Sequence, residues 1–214
     1  MKLRILKFLP VALAGLFINN AAQAQTATAA ADPMRTWSIG VNAGTLSGIS
    51  PLGGQNDFSN WKSTFGYGLY IKKQITPSFS LRLDGNRGTV KGDNTEPFYN
   101  NVVNASPVSA YSTDLNYSAS LSAVANLFNW SMFKQQNNAQ LYVSGGAGFV
   151  NYTPSITAAN TTTELSTENR MIIPVGLGAK FRLSEGVNLD LGWTISYVDG
   201  DEFDGYARGS NDKY

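Results

Sequence analysis

The stretch "LNYSASLSAVANLF", residues 115–128, decides the fold. Its odd positions are apolar from Leu115 to Leu127, whereas its even positions are Asn or Ser apart from Val124. A period of two indicates a β-strand, because successive side chains point to opposite faces of a sheet. Strands of ordinary globular proteins run to about 5–6 residues. The stretch therefore predicts an unusually long strand with one apolar face and one small, polar face.

The same alternation occurs in six further segments. With the first, the predicted strands are 37–44, 64–71, 79–86, 115–128, 141–149, 171–182 and 187–197. No segment shows a sustained period of 3.6 residues, which an amphipathic helix would need. The sequence therefore predicts an all-β protein.

The connections between the predicted strands alternate in length. Short or moderate connections are expected at 74–78, 129–138 and 183–186, and long ones at 45–61, 89–113, 153–169 and 199–214. An antiparallel up-and-down meander places all its long loops at one end and its short turns at the other. We call these the long-loop end and the short-turn end, and we expect the long loops to face the outside of the cell.

The two faces differ in side-chain size as well as in polarity. Large side chains occupy the apolar face, while the other face carries Gly, Ser, Asn and several charges. A lipocalin-like barrel or a sandwich would have to bury the apolar face, but no sequence remains for a covering layer. In a transmembrane β-barrel, lipid covers the apolar face and small polar residues fill the narrow interior. We therefore expect lipid to contact Leu115, Tyr117, Leu121 and Leu127, and the interior to contain Ser118, Ser120 and Ser122.

Aromatic residues form two groups at the predicted strand ends. Near the short turns stand Trp37, Phe79, Phe128, Trp130 and Phe181, and near the long loops stand Phe65, Tyr67, Phe149, Tyr152 and Tyr197. Rings of aromatic side chains at both membrane interfaces are typical of transmembrane barrels.

The composition excludes several kinds of active site. The 214-residue chain contains no His and no Cys. Ser-His-Asp and Cys-His nucleophilic sites and the usual zinc ligand sets are therefore absent. We expect no enzymatic activity, no cofactor and no metal centre.

The N-terminus has the features of a secretory signal peptide. Lys2, Arg4 and Lys7 precede a largely apolar run at 8–22, and "AQA" at 22–24 has the small-x-small form of a cleavage site. We predict a signal peptide at 1–24 and a disordered lead-in at 25–36. A membrane anchor is the alternative, but the run is shorter than the roughly 20 residues needed to span. Removal of residues 1–24 would leave 13 basic and 15 acidic residues, too even a balance to predict a nucleic-acid partner.

A resemblance to a known protein family rests on the order and spacing of three segments, "FSLRLDGNRG", "LYVSGGAGFVNYTP" and "PVGLGAKFRLSEGVNLDLGWTISYVDGDEFDG". Through them the sequence resembles the N-terminal eight-stranded barrel of OmpA-type outer-membrane proteins. The resemblance covers 37–214 and implies a barrel in the bacterial outer membrane that contacts outer-membrane lipid. It implies a role in envelope integrity or surface interaction. The alternative is a small pore or a ligand-binding barrel.

Members of that family often carry a second domain that grips peptidoglycan, and we expect no such domain within residues 37–214. Residues 210–214 lack the apolar alternation of a closing strand. We therefore expect the barrel at 37–214 to stop before its last strand, or an eighth strand to lie hidden in a long loop. Peptidoglycan is then an expected partner only through a further domain.

Charged residues on the interior face are the main candidate site. If 183–186 forms a regular hairpin, Lys180 faces Asp190, and Arg82 and Asp84 lie at a similar height, with Arg182 nearby. These ion-pair candidates would either gate conduction or pair structurally in a filled interior. In the loop after the last strand, Asp199, Asp201, Glu202 and Asp204 would either hold a divalent cation or be solvated. They lack EF-hand spacing, because Phe203 occupies an expected ligand position.

Overall fold

Nine β-strands make up most of the part of the chain that the computed structural model describes, which is residues 36–48, 58–95, 108–130, 139–184, 186–205 and 212–214. These residues belong to the unit Arg35–Tyr214. The strands are β1 Trp37–Leu46, β2 Asn60–Lys62, β3 Thr64–Thr76, β4 Phe79–Asp93, β5 Ala110–Trp130, β6 Ala139–Ala158, β7 Thr161–Glu164, β8 Glu168–Ser184 and β9 Val187–Val198. No helix within these ranges could cross a membrane. The predicted signal peptide lies outside the described residues.

The sheet is an antiparallel meander in the order β1-β3-β4-β5-β6-β8-β9. These seven strands are the seven predicted from the alternation, and the all-β, up-and-down architecture is confirmed. The short strands β2 and β7 were not predicted, and they pair with the outer parts of β4 and β6. The sheet curls into a half-barrel. Within the described residues, β1 and β9 are not paired with each other.

The two faces of the curled sheet have the predicted polarity along most of its length. Leu121 is 54% exposed on the convex face, whereas its neighbour Ser120 is 8% exposed on the concave face. Other exposed apolar side chains of the convex face include Ile39, Val41, Leu69, Leu83, Leu141, Val175, Leu177 and Leu191. We call this band the apolar belt. It is the surface that sequence reasoning assigned to lipid.

The prediction that Leu115 faces lipid is wrong, since Leu115 is 3% exposed and packs in the interior. The register of β5 shifts between Leu115 and Tyr117 against β6, and at the same height against β4. Asn116 is the extra residue of this β-bulge, which reverses the side-chain parity of the strand. Below the bulge even-numbered side chains point inward, and above it odd-numbered ones do.

Three strands continue beyond the apolar belt at the long-loop end. β4 extends to Asp93, β5 begins at Ala110 and β6 ends at Ala158, so the predicted loops 89–113 and 153–169 are strand in part. In this extension the polarity of the faces is reversed. Val90, Tyr111 and Tyr152 are buried inside, while Lys91 and Asp114 are exposed. Beyond the belt, an outer face in water needs polar side chains. The inner face can then be apolar, because its side chains bury one another away from water.

An aromatic row marks the border between the belt and the extension. Phe65, Tyr67, Phe149 and Tyr197 are exposed there as predicted, and Tyr117 joins them. Tyr152 does not belong to the row, because its even position on β6 points it into the interior, where it is fully buried. At the other end Trp37 and Phe181 are exposed, while the side chains of Phe128 and Trp130 lie outside the described part.

The last residues pair with β9, although the sequence predicted no strand there. Ser196 and Tyr214 exchange two backbone hydrogen bonds of 2.7 and 3.1 Å, and the Val198 N–H donates to the Asp212 carbonyl at 2.9 Å. Lys213 forms an antiparallel bridge with Tyr197. Residues 212–214 therefore lie next to β9, where an eighth strand of the main meander would pair.

Candidate functional site in the barrel interior

Ionisable side chains cluster in the interior toward the short-turn end. The Arg82 Nε donates to the Asp84 Oδ2 at 2.9 Å, and both side chains are largely buried. The Arg82 guanidinium lies 5.7 Å from the centre of the Tyr70 ring and also adjoins Tyr142. Lys72 lies directly opposite Arg82 on β3. Because Lys72 is buried beside other cations, the carboxylates of this cluster are needed to balance the charge.

Tyr142 spans the interior above two glycines. A Cβ atom on Gly178 would lie 2.5 Å from the Tyr142 hydroxyl oxygen, and one on Gly192 would lie 2.8 Å from it. Both distances are shorter than non-bonded atoms allow. The two glycines therefore let a side chain from β6 reach across β8 to β9. Sequence reasoning missed Tyr142, although inward-facing glycines on adjacent strands are a signal for such a close approach.

The register places Lys180 directly opposite Asp190, in the predicted arrangement. No ion pair within 4.0 Å joins these two described residues, however, and Asp190 Oδ1 is buried without a hydrogen-bond partner. Lys180 instead approaches Lys72, and Asp190 lies near the same ammonium group. Arg182 is exposed opposite Asn188 at the short-turn end and is not part of the buried cluster.

A cavity of about 490 Å³ lies above the charged cluster. Arg82 and Asp84 line one part of it, and the apolar Leu115, Ile172 and Tyr214 line another. Hydroxyl and amide groups cover much of the remaining wall, from Asn42, Asn86, Ser118, Ser120, Ser122, Ser144, Thr194 and Ser196. The polar wall can hydrogen-bond to water or to a small polar molecule.

An apolar core, which we call the roof, fills the interior at the long-loop end. Its buried members are Phe58, Val90, Val108, Tyr111, Leu115, Val150, Tyr152, Ile172, Val198 and Phe203. Phe203 comes from the loop after β9, and its ring lies 5.1 Å from Tyr214 and 5.0 Å from Tyr152. The Thr113 hydroxyl donates to the Phe203 carbonyl. The loop is thus folded back into the mouth of the barrel.

Asp212, which lies beyond the apolar belt, fixes this loop segment through hydrogen bonds. Its Oδ2 accepts hydrogen bonds from the backbone N–H of Phe203 at 2.9 Å and of Asp204 at 3.4 Å. Burial, together with the nearby Asp204, raises the pKa of Asp212 to about 8 from an ordinary value of 3.8. The folded roof therefore favours the protonated carboxyl more than the unfolded chain does.

This pKa predicts that the roof weakens as the pH rises. A carboxyl whose folded pKa is raised stabilises the fold fully below about pH 4, and that contribution is lost on the way to about pH 8. Asp212→Asn keeps an acceptor for both N–H groups and cannot ionise. The free energy of unfolding of this variant should therefore fall less steeply with pH than that of the wild type, with a difference on the order of 1 kcal/mol per pH unit. Thermal unfolding midpoints in detergent between these pH values, with the exposed Asp199→Asn as control, would measure the difference. Parallel pH profiles for wild type and Asp212→Asn would contradict it.

The acidic residues of the same loop do not converge on one point. Glu202 accepts a hydrogen bond from Arg170 Nη2 at 2.6 Å, Asp204 is buried and Asp199 is exposed. Among the residues that the structure describes, no group of three Asp, Glu, His or Cys side chains is placed to hold a metal ion. The cation-binding interpretation of Asp199, Asp201, Glu202 and Asp204 gains no support from this geometry.

The model of a protein family described as "outer membrane protein beta-barrel domain" matches residues 11–211. The chain belongs to this family. The outer membrane β-barrel family accounts for the belt, the meander and the polar interior together, because such barrels carry an outward-facing apolar band around a polar interior. No curated protein in the comparison matches the chain.

In this member of the outer membrane β-barrel family, four of the five ion-pair candidates lie on the interior side, Arg182 is exposed, and the roof lies where sequence reasoning expected a loop. Arg82, Asp84, Lys180 and Asp190 all face the interior. Phe203, Thr113 and Asp212 were missed as structural partners. Phe203 appeared only as an interruption in an acidic loop, and no local pattern relates it to Thr113 on β5.

Proposed function

We propose that this outer-membrane barrel has a structural or surface-interaction role and does not act as an open pore. The observation that carries the proposal is the roof, in which Tyr152, Phe203 and neighbouring apolar side chains pack in the mouth of the barrel. The Arg82–Asp84 cluster supports the same proposal, because it obstructs the interior at a second level. The resemblance to OmpA-type proteins points in this direction as well.

Planar-bilayer recordings would test this proposal. We expect the refolded protein to produce no stable conductance steps, because an ion would have to pass both the apolar roof and the charged cluster. Phe203→Ala with Tyr152→Ala, which opens the roof, is the matched comparison. Stable single-channel steps from the wild-type protein would instead favour the pore.

The extension beyond the belt is the surface that we propose for contacts outside the membrane. Its outer side carries a hydrogen-bonded row in which Asn116 donates to Asn151, and Asn151 donates to Asn169, each at 2.9 Å. Thr153 and Thr167 are linked at 2.9 Å beside this row. A sheet held by such cross-strand bonds presents a stiff polar surface, which suits recognition better than a flexible loop does.

Ligand binding in the interior is the second candidate function, and the cavity of about 490 Å³ favours it. Clefts for small molecules are commonly of about this size. For localisation we propose export through a signal peptide cleaved after Ala24, which the mass of the mature protein would test. Neither an enzymatic activity nor a nucleic-acid partner forms part of the proposal, and peptidoglycan binding would require a further domain.

A further inference from the structure

Arg87 lies on the convex face of β4 at the border between the apolar belt and the extension. Its direct partner on β3 is Tyr67. On its other side, the bulged segment with Asn116 and Tyr117 lies between the pairs Asn86–Ser118 and Gly88–Leu115. Arg87, Tyr67 and Tyr117 are all exposed. The register thus places Arg87 between two tyrosines, and aromatic side chains of this kind are typical of the height of the lipid headgroups.

Two cations on the convex face of β4 have no acidic partner. The ion pairs of the described residues join Lys62 to Asp93, Arg82 to Asp84, and Arg170 to Glu168 and Glu202. Lys91 and Arg87 form none. The two lie on the same face of β4, about 13 Å apart at about 3.3 Å per residue.

Three other charged groups lie near Arg87 and Lys91. Lys62, directly opposite Lys91, is neutralised by Asp93. The carboxylate of Asp114, which pairs with Thr89 between Arg87 and Lys91, accepts a hydrogen bond from the Thr89 hydroxyl at 2.8 Å and keeps its negative charge. Lys62, Arg87 and Lys91 against Asp93 and Asp114 leave one net positive charge on this part of the described sheet.

A shallow depression leads from Arg87 into the apolar belt. One row of paired residues across four strands reads Leu69, Gly85, Ala119 and Phe149. The outer two side chains are large and exposed, while the inner two are the smallest available. A Cβ atom on Gly85 would find no other atom within 4 Å. The depression is therefore open, apolar and about as wide as two strands, which suits an extended acyl chain.

We propose that Arg87 and Lys91 bind the anionic phosphate headgroup of a membrane lipid, one acyl chain of which lies in the depression over Gly85 and Ala119. The guanidinium fork matches the oxygens of a phosphate group, and the flanking tyrosines suit the interface. A lipid is favoured over free phosphate because the charged and apolar parts of the surface are continuous. This proposal extends beyond the structural role and does not depend on it.

Lipid retention tests the proposal on the full chain. The protein would be refolded in vesicles of phosphatidylcholine with and without phosphatidylglycerol, extracted in mild detergent, and its retained lipids quantified by mass spectrometry. We expect wild type to be enriched in phosphatidylglycerol and Arg87→Gln/Lys91→Gln to lose the enrichment, by about fivefold for each cation removed. Arg182→Gln, which removes an exposed cation from the concave side at the short-turn end, should retain lipid as wild type does.

Gly85→Leu separates a lipid from free phosphate. It fills the depression and keeps both cations, so it should also reduce the enrichment, while excess inorganic phosphate should displace little lipid. Folding of each variant would be checked by its gel mobility with and without heating, and Lys91→Gln alone replaces the double variant if that fails to fold. The proposal is overturned if wild type shows no enrichment, or if the Arg87 and Lys91 variants retain as much phosphatidylglycerol as Arg182→Gln. It is overturned too if Gly85→Leu has no effect and inorganic phosphate competes fully.

Discussion

Asp84→Asn is expected to cost about 3–5 kcal/mol of stability, the usual penalty for breaking a buried ion pair. The Asp84 carboxylate is the ion-pair partner of Arg82 at 2.9 Å, and the Arg82 side chain is only 17% exposed. Without it, the guanidinium stays in the interior beside Lys72 and has no ion-pair partner. Because the pair also lines a cavity that water can enter, we expect a loss of about 3 kcal/mol, at the lower end of this range. Urea unfolding of the protein in lipid vesicles would measure it.

A double-mutant cycle distinguishes this pair from a general effect of charge removal. Arg82→Met combined with Asp84→Asn should recover much of the loss of the single variants, which gives a coupling energy of more than about 1 kcal/mol. Lys180→Met with Asp190→Asn is the matched control, since these residues face each other on β8 and β9 without forming an ion pair. Equal coupling energies for the two pairs would contradict the geometry described for the cluster.

Leu121→Arg is expected to destabilise the protein by about 2–4 kcal/mol, because Leu121 lies in the apolar belt, where an arginine must enter the hydrocarbon core. Leu121 pairs with Leu83 and Ala147, near the middle of the belt. Leu121→Ala keeps the site apolar and should cost much less. Unfolding of both variants in vesicles would give the difference.

Accessibility measurements at adjacent positions test the same faces without a stability change. Spin labels at Leu121 and at Ser120 should differ, with a lipid-soluble quencher reaching only the first. Equal access at the two positions would remove the assignment of the belt to lipid.

The alternation in the sequence was sufficient to predict the seven main strands and the faces of most residues in the belt. The outward-facing band of a transmembrane barrel is apolar along its whole height, so a period of two continues along each strand without interruption. For this reason Ser118, Ser120 and Ser122 are placed correctly. The same regularity predicted that Lys180 and Asp190 lie opposite each other.

The remaining features depend on contacts that no local pattern reveals. The bulge at Asn116 shifts the parity of one strand by a single residue, and this moved Leu115 from the predicted outer face into the core. In the extension, Val90 alternates with Thr89 and Lys91 as in a soluble sheet, but so short a segment next to a polar loop has no pattern that distinguishes it from the loop. The inward fold of Phe203 rests on Thr113, Tyr152 and Tyr214, which are distant in sequence.

The reversal of polarity at the aromatic row also determines how deeply the barrel sits in a membrane. From Val187 to Tyr197, β9 runs about 33 Å at about 3.3 Å per residue, which at the usual strand tilt corresponds to about 25 Å of bilayer thickness. Sliding inward by two residues would carry Arg87 into hydrocarbon, and sliding outward would expose leucines to water. The protein is therefore matched to one thickness of membrane and should thin a thicker bilayer around it instead of shifting its position.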